Sequence, residues 1–172
     1  MTSTHQNPPR IARIVSGGQS GADRAALDAA IAHGIPYGGW CPLGGWAEDY
    51  PDSPGLFSNY PRLWESESAD PSVRTALNVR DSHATLIVRG GEDSSPGTDL
   101  TSKVALELGR PNLITNGDVE DVYGWLETLG RGLTLNVAGP RASEFPDVYL
   151  RTRNMLDALF QRPTTRVIQL GK

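Results

Sequence analysis

Three short stretches carry residue types able to grip an anion. The first, Ser16-Gly17-Gly18-Gln19-Ser20-Gly21, packs three glycines and two serines into six residues. Glycine lets backbone N–H groups approach a phosphate, and a helix beginning just after such a loop adds its positive N-terminal end. Asp23 and Arg24 follow at once and are placed to fix the loop. The second stretch, Gly90 to Gly97, repeats this logic and hands over to Thr98 and Thr101, whose hydroxyls are further donors. The third, Asn136-Val-Ala-Gly139-Pro-Arg141, joins an amide, a glycine turn and an arginine fork suited to an oxyanion. Arg141 reads equally well as a solvated loop residue. A Walker loop would need a Gly-Lys-Ser/Thr ending, yet the first lysine is Lys103. A dinucleotide fingerprint would need glycine at Ser16 and an acid where Trp40-Cys41-Pro42 stands. The first loop is therefore a phosphate loop of neither type, the alternative being a plain strand-to-helix turn.

Other polar and soft residues read as structural. Arg74, Asn78 and Asp81 share one helix face at i, i+4, i+7, which is the ordinary pattern of a solvated surface. Cys41 reads as a small buried thiol rather than a metal ligand. Trp46, Trp64 and Trp125 read as packing or interface residues. One cysteine and three scattered histidines (His5, His33, His83) do not supply a zinc site.

The loops need elements to hold them. After a leader over residues 1–10, Ile11–Val15 alternates and predicts a strand, and Ala22–His33 an alanine-rich helix with Ser20 and Asp23 at capping-box spacing. Ile35–Trp40 predicts a second strand. Leu43–Glu67 is rich in Pro and Gly and shows no helical or strand period. Asp70-Pro71 opens a helix to about Asp81, with an acid at the cap and Pro at the first position. Strand Ala84–Val88, helix Thr98–Leu108, strand Pro111–Thr115, helix Val119–Leu129, strand Leu133–Val137 and helix Pro146–Gln161 follow. The tail from 162 to 172 is placed to pair at a sheet edge. Strands alternating with helices predict an α/β, Rossmann-like three-layer sandwich with a mostly parallel sheet, a single domain over 11–172. Ligands of such sheets gather beyond the carboxyl ends of the strands.

With 172 residues, a formal charge of −4 and a pI near 5.3, the chain suits one domain and disfavours a broad nucleic-acid face. No apolar run reaches the roughly 18 residues of a membrane span, and the first ten residues lack a secretory core, so the cytoplasm is expected. Fourteen arginines against two lysines reflect either genomic composition or a need for bidentate oxyanion grip.

The motifs Ile14-Val-Ser-Gly-Gly-Gln-Ser-Gly-Ala-Asp-Arg-Ala-Ala-Leu-Asp28, Gly38-Gly-Trp-Cys-Pro42, Ala47-Glu-Asp49, Arg74-Thr, Asn78-Val-Arg-Asp-Ser82, Gly97-Thr98 and Leu135-Asn-Val-Ala-Gly-Pro-Arg141 occur in that order. Over about residues 11 to 160 the chain resembles the molybdenum-cofactor carrier family, a circularly permuted branch of the SLOG superfamily that also holds the Lonely-Guy-like proteins. The resemblance implies a Rossmann-like fold, a homo-oligomer (dimer or tetramer), and a phosphorylated small-molecule ligand. That ligand is molybdenum cofactor (molybdopterin) or a nucleotide, held by Ser16–Gly21, Asp23, Arg24, Gly97, Thr98, Thr101, Asn136, Gly139 and Arg141. Two departures bear on ligand identity: Trp46 stands where the family usually carries Arg, and Pro96-Gly97 replaces a paired glycine. Tyr50–Pro61 is also longer than usual. The enzymatic alternative is a nucleotide phosphoribohydrolase, whose Pro-Gly-Gly-x-Gly-Thr-x-x-Glu pattern would put the catalytic Glu at Thr101, leaving Glu48 or Asp49 to substitute. A nucleotide-sensing module is the third reading.

Overall fold

The computed structural model describes residues 10–91 and 95–162. Residues 1–9 of the leader, residues 92–94 of the second glycine-rich loop, and the tail from 163 with its expected edge pairing lie outside them. The elements are β1 (Ile11–Val15), α1 (Ala22–Ala32), β2 (Tyr37–Cys41), β3 (Leu63–Glu65), α2 (Pro71–Arg80), β4 (Ala84–Val88), α3 (Pro96–Glu107), β5 (Asn112–Thr115), α4 (Val119–Leu129), β6 (Leu133–Ala138) and α5 (Val148–Phe160). Six parallel strands run in the order β3-β2-β1-β6-β4-β5, giving the three-layer α/β architecture. Helices α1, α4 and α5 pack together over one face, and α2 packs on α3 over the other.

Burial explains the layers. Ala25, Ala26, Ala29 and Ala30 leave α1 thin enough to lie close on the sheet and on α5, and all four are fully buried. Ile14, Leu86, Leu135 and Leu156 fill the same core, each contributing about 1.5–3 kcal/mol of transfer free energy. A second, smaller cluster of Leu27, Cys41, Ala47, Leu56, Tyr60 and Leu63 anchors the Pro/Gly-rich segment. In it the Cys41 thiol is pushed up to about 11 by burial. Among the described residues no helix is long and apolar enough to cross a membrane.

Three expectations need correction. Leu43–Glu67 is not without regular structure: it forms two 3-10 turns, Leu43–Gly45 and Gly55–Ser58, and the edge strand β3. Three residues, of which only Leu63 is buried, are too few to show an alternation. The capping box is absent. Gly21 occupies the N-cap of α1 without a side-chain bond, because the Ser20 hydroxyl donates to Glu48 and Asp23 takes Arg74 instead. Of the face Arg74, Asn78 and Asp81, only Asp81 is exposed; Arg74 and Asn78 turn inward, as described next. The α2 start is as expected, with Asp70 accepting the Ser72 N–H at 2.9 Å ahead of Pro71.

Candidate functional site

Because β6 lies between β1 and β4, the corners after these three strands are neighbours at the carboxyl edge of the sheet. They share one small, open cleft, lined by Gly17, Asp23, Gly97, Thr101, Asn136, Ala138 and Gly139, with Arg74, Thr75 and Asn78 from α2. All three glycine-bearing stretches thus contribute to one concavity, at the position where open α/β sheets bind ligands.

Arg74 is its dominant group. Its Nη1 donates to Asp23 Oδ2 at 2.9 Å, and its buried Nε has no partner. The guanidinium lies so close to Gly17 that a Cβ there would sit 1.8 Å from Nη1. Burial pushes the Asp23 carboxyl above the ordinary carboxylate range, while Arg74 pulls it back down. Asn78 is 2 % exposed and acts on the backbone. It accepts the Trp40 N–H at 2.7 Å and donates to the Trp40 carbonyl at 2.9 Å. The β1 pairing ends at Val15–Gly38, so a side-chain amide from α2 replaces the missing strand for Trp40.

At the start of α3, Pro96 has no N–H, Thr98 N–H donates to Ser95 Oγ at 3.3 Å and Asp99 N–H to the Ser95 carbonyl at 3.0 Å. The cap does not use the Gly97 N–H, at the positive end of the helix. Thr101 lines the cleft, with its hydroxyl donating to the Gly97 carbonyl at 2.8 Å. Asn136 lines it too, its Nδ2 reaching Thr85 Oγ1 at 3.3 Å.

The remaining residues singled out from the sequence do not line the cleft; most of them hold the loops around it. Ser16 donates to the Val137 carbonyl at 2.7 Å, tying β1 to β6. A Cβ on Gly18 would enter the second core cluster, 2.9 Å from Leu56 Cδ1. Gln19 Oε1 accepts N–H groups from Ser20 and Glu48. Gly21 abuts the third corner, where a Cβ would lie 2.4 Å from the Pro140 carbonyl oxygen. Arg24 donates through Nε and Nη2 to the Gly18 carbonyl and pairs bidentately with Asp49, under the rings of Tyr50 and Tyr60. Thr98 pairs with Ser95 Oγ. Arg141 leans over Trp46, with its Cζ 5.9 Å from the ring centroid. Gly90, within the second stretch, is required by packing: Phe145 occupies the place of a Cβ.

Glu48 and Asp49 are committed to this scaffold. Glu48 accepts from Ser20 Oγ, Ser143 N and Ser143 Oγ. Burial pushes its carboxyl up, but these donors outweigh that and hold it below the usual range. Sequence reasoning missed Arg74, Thr75 and Asn78. Two signals pointed to them: Arg74-Thr and Asn78 stand among the motifs of the family resemblance, and the thin apolar content of α2 requires its polar residues to share in its packing. Among the described residues, no group of His, Cys, Asp and Glu could hold a metal ion.

Comparison with known proteins gives a consistent result. The sequence model of the circularly permuted YpsA SLOG family matches residues 14–160. A solved structure from Syntrophus aciditrophicus SB, named "Putative molybdenum carrier protein", superposes with a TM-score of 0.79 at 39% identity, covering 91% of this chain and 98% of that one. No curated protein matches. The cleft at the β1/β6/β4 corners, the parallel sheet and the family match over most of the sequence lead to one statement: the chain belongs to the circularly permuted YpsA SLOG family.

Proposed function

We propose that the cleft binds the phosphate end of a small-molecule cofactor and that the protein is a carrier of molybdenum cofactor. The observation that carries this reading is Arg74: a guanidinium lying over glycine backbone with a buried Nε that has no partner. An arginine fork is the side chain best shaped for an oxyanion, and a buried donor left unbonded is costly. The Gly97 N–H at the start of α3 and the Asn136 amide supply further polar groups around it. The carrier assignment draws on the name of the Syntrophus relative.

Hydrolysis has less support. Asp23 is the one carboxylate among the described lining residues, and it is paired with Arg74. Release of free base from AMP would favour the hydrolase instead.

Titration of the purified protein with molybdenum cofactor should show saturable binding. Gly17→Ala drives a methyl group into the Arg74 guanidinium and should weaken that binding about tenfold, or about 1.4 kcal/mol. Absence of saturable binding, or an unchanged affinity in the variant, removes the proposal.

The same reading includes a homo-oligomer. Leu106 is 71% exposed, and Leu108 and Ile114 are also exposed at the end of α3 and on the edge strand β5. Light scattering should give a multiple of the 18.5 kDa chain mass, and Leu106→Glu should shift it toward the monomer. A monomeric parent protein would rule the assembly out.

A further inference from the structure

Beside the cleft lies a second pair of groups that the anion site does not use. Trp46 is 37% exposed, and Arg141 packs its guanidinium over the indole. Among the described residues, no hydrogen bond or ion pair holds that guanidinium; Arg141 is bonded only through its backbone, to Glu144 and Phe145. Arg141 stands two residues beyond Gly139, which lines the cleft, so the two Cα atoms are at most about 7.6 Å apart. Trp46 is brought to the same rim by Glu48, two residues on, which accepts from Ser20 in the first corner and Ser143 in the third. The rim therefore presents a half-exposed aromatic face and a planar guanidinium whose N–H groups carry no hydrogen bond among the described residues, though its charge also acts on Glu48, next to a cleft whose own cation is Arg74.

We propose that Trp46 and Arg141 form the subsite for the ring system of the ligand, recognising a fused heteroaromatic bicycle that carries a carbonyl beside a ring nitrogen, as guanine and pterin both do. This rests on the phosphate reading of the cleft. Phosphate under Arg74 would orient the ligand, the indole would stack on its ring, and the guanidinium would donate two in-plane hydrogen bonds to its polar edge. Removing an aromatic side chain on which a base stacks, or a bidentate arginine contact to a base edge, weakens binding about tenfold. An isolated phosphate, or a sugar phosphate without a ring system, gains nothing from either group.

The test uses the full chain and three probes, GMP, neopterin monophosphate and ribose 5-phosphate, titrated calorimetrically in parallel. Trp46→Ala and Arg141→Ala should each weaken the ring-bearing probe that binds best by about tenfold and leave ribose 5-phosphate within about twofold. Trp46→Phe, which keeps a stacking face, should retain most of the affinity and guards against a folding defect in the alanine variant. The tighter of GMP and neopterin monophosphate identifies the heterocycle. If the ring-bearing probes and ribose 5-phosphate bind equally, or neither alanine variant changes the former, the ring subsite is overturned while the anion cleft stands. If none of the three binds, the phosphate reading fails and the subsite falls with it.

Discussion

Replacing Arg74 with alanine is expected to cost about 3 kcal/mol of stability at neutral pH, the scale of a buried ion pair broken from one side. Asp23 is the reason. Its side chain is 3% exposed, its partner's is 15%, and the two meet at 2.9 Å. Without the guanidinium the carboxylate keeps a backbone hydrogen bond from Gln19 and the more distant charge of Arg24, too little to balance its desolvation. The sign with pH follows from the same shift. Burial already holds the Asp23 carboxyl above its usual range, and losing Arg74 raises it further. The folded variant then binds the proton more tightly than the unfolded chain does. Its penalty is absent below the unfolded value of about 3.9, grows as pH rises through the folded value, and is constant above it. Chemical denaturation of parent and variant from pH 4 to pH 8 should show the gap closing at the acid end. A surface pair would instead give a gap within about 1 kcal/mol at every pH, and that outcome would show that the cleft's charge pair is solvated.

Gly39→Ala is expected to be at least as damaging, about 4 kcal/mol. Gly39 lies in β2 at φ +135°, and a Cβ there would sit 2.1 Å from the Ser16 carbonyl oxygen and 2.8 Å from the Ser16 nitrogen. Both atoms are backbone, so no rotamer change relieves the clash. Either β2 separates from β1 or the first loop shifts at its root. Backbone strain of about 1–3 kcal/mol and overpacking of about 1–3 kcal/mol combine in the expected cost. Gly44→Ala is the internal control. Gly44 also has positive φ, +79°, but nothing lies within 4 Å of its added Cβ. It should lose only the left-handed penalty of about 1–2 kcal/mol. Thermal and urea unfolding of both variants would separate the two contributions, and equal losses would show that the close strand approach is not what Gly39 serves.

Much of the architecture is legible along the chain because local rules act over a few residues. Asp70-Pro71 starts α2, the β-branched runs at Ile11–Val15 and Ala84–Val88 form central strands, and Gly-rich segments end at helix starts. Those signals suffice to forecast a parallel sheet and to put three polar corners at its carboxyl edge. Their meeting in one cleft follows from strand order, which the alternation of elements does not specify. The edge strand β3 shows where local signals give out. Trp64 and Glu65 are exposed, and pairing with β2, rather than any pattern of its own, makes that segment a strand.

The division is sharpest at the site. Glycine at 17, 97 and 139 and the amide at Asn136 were visible as candidates, since their chemistry is intrinsic to residue type. Whether a given glycine serves a ligand or a neighbour is a matter of what packs against it: Leu56 against Gly18, the Pro140 carbonyl against Gly21, Phe145 against Gly90. Likewise, Arg74 and Asn78 carry the same i, i+4 polar spacing as any solvated helix face. They become site and scaffold residues only because α2 crosses the sheet and meets Asp23 and Trp40, 51 and 38 positions away along the chain. Residue type and short-range spacing set the available chemistry and the local backbone. The direction in which each side chain points depends on how distant segments pack, and no window of neighbouring residues contains that information.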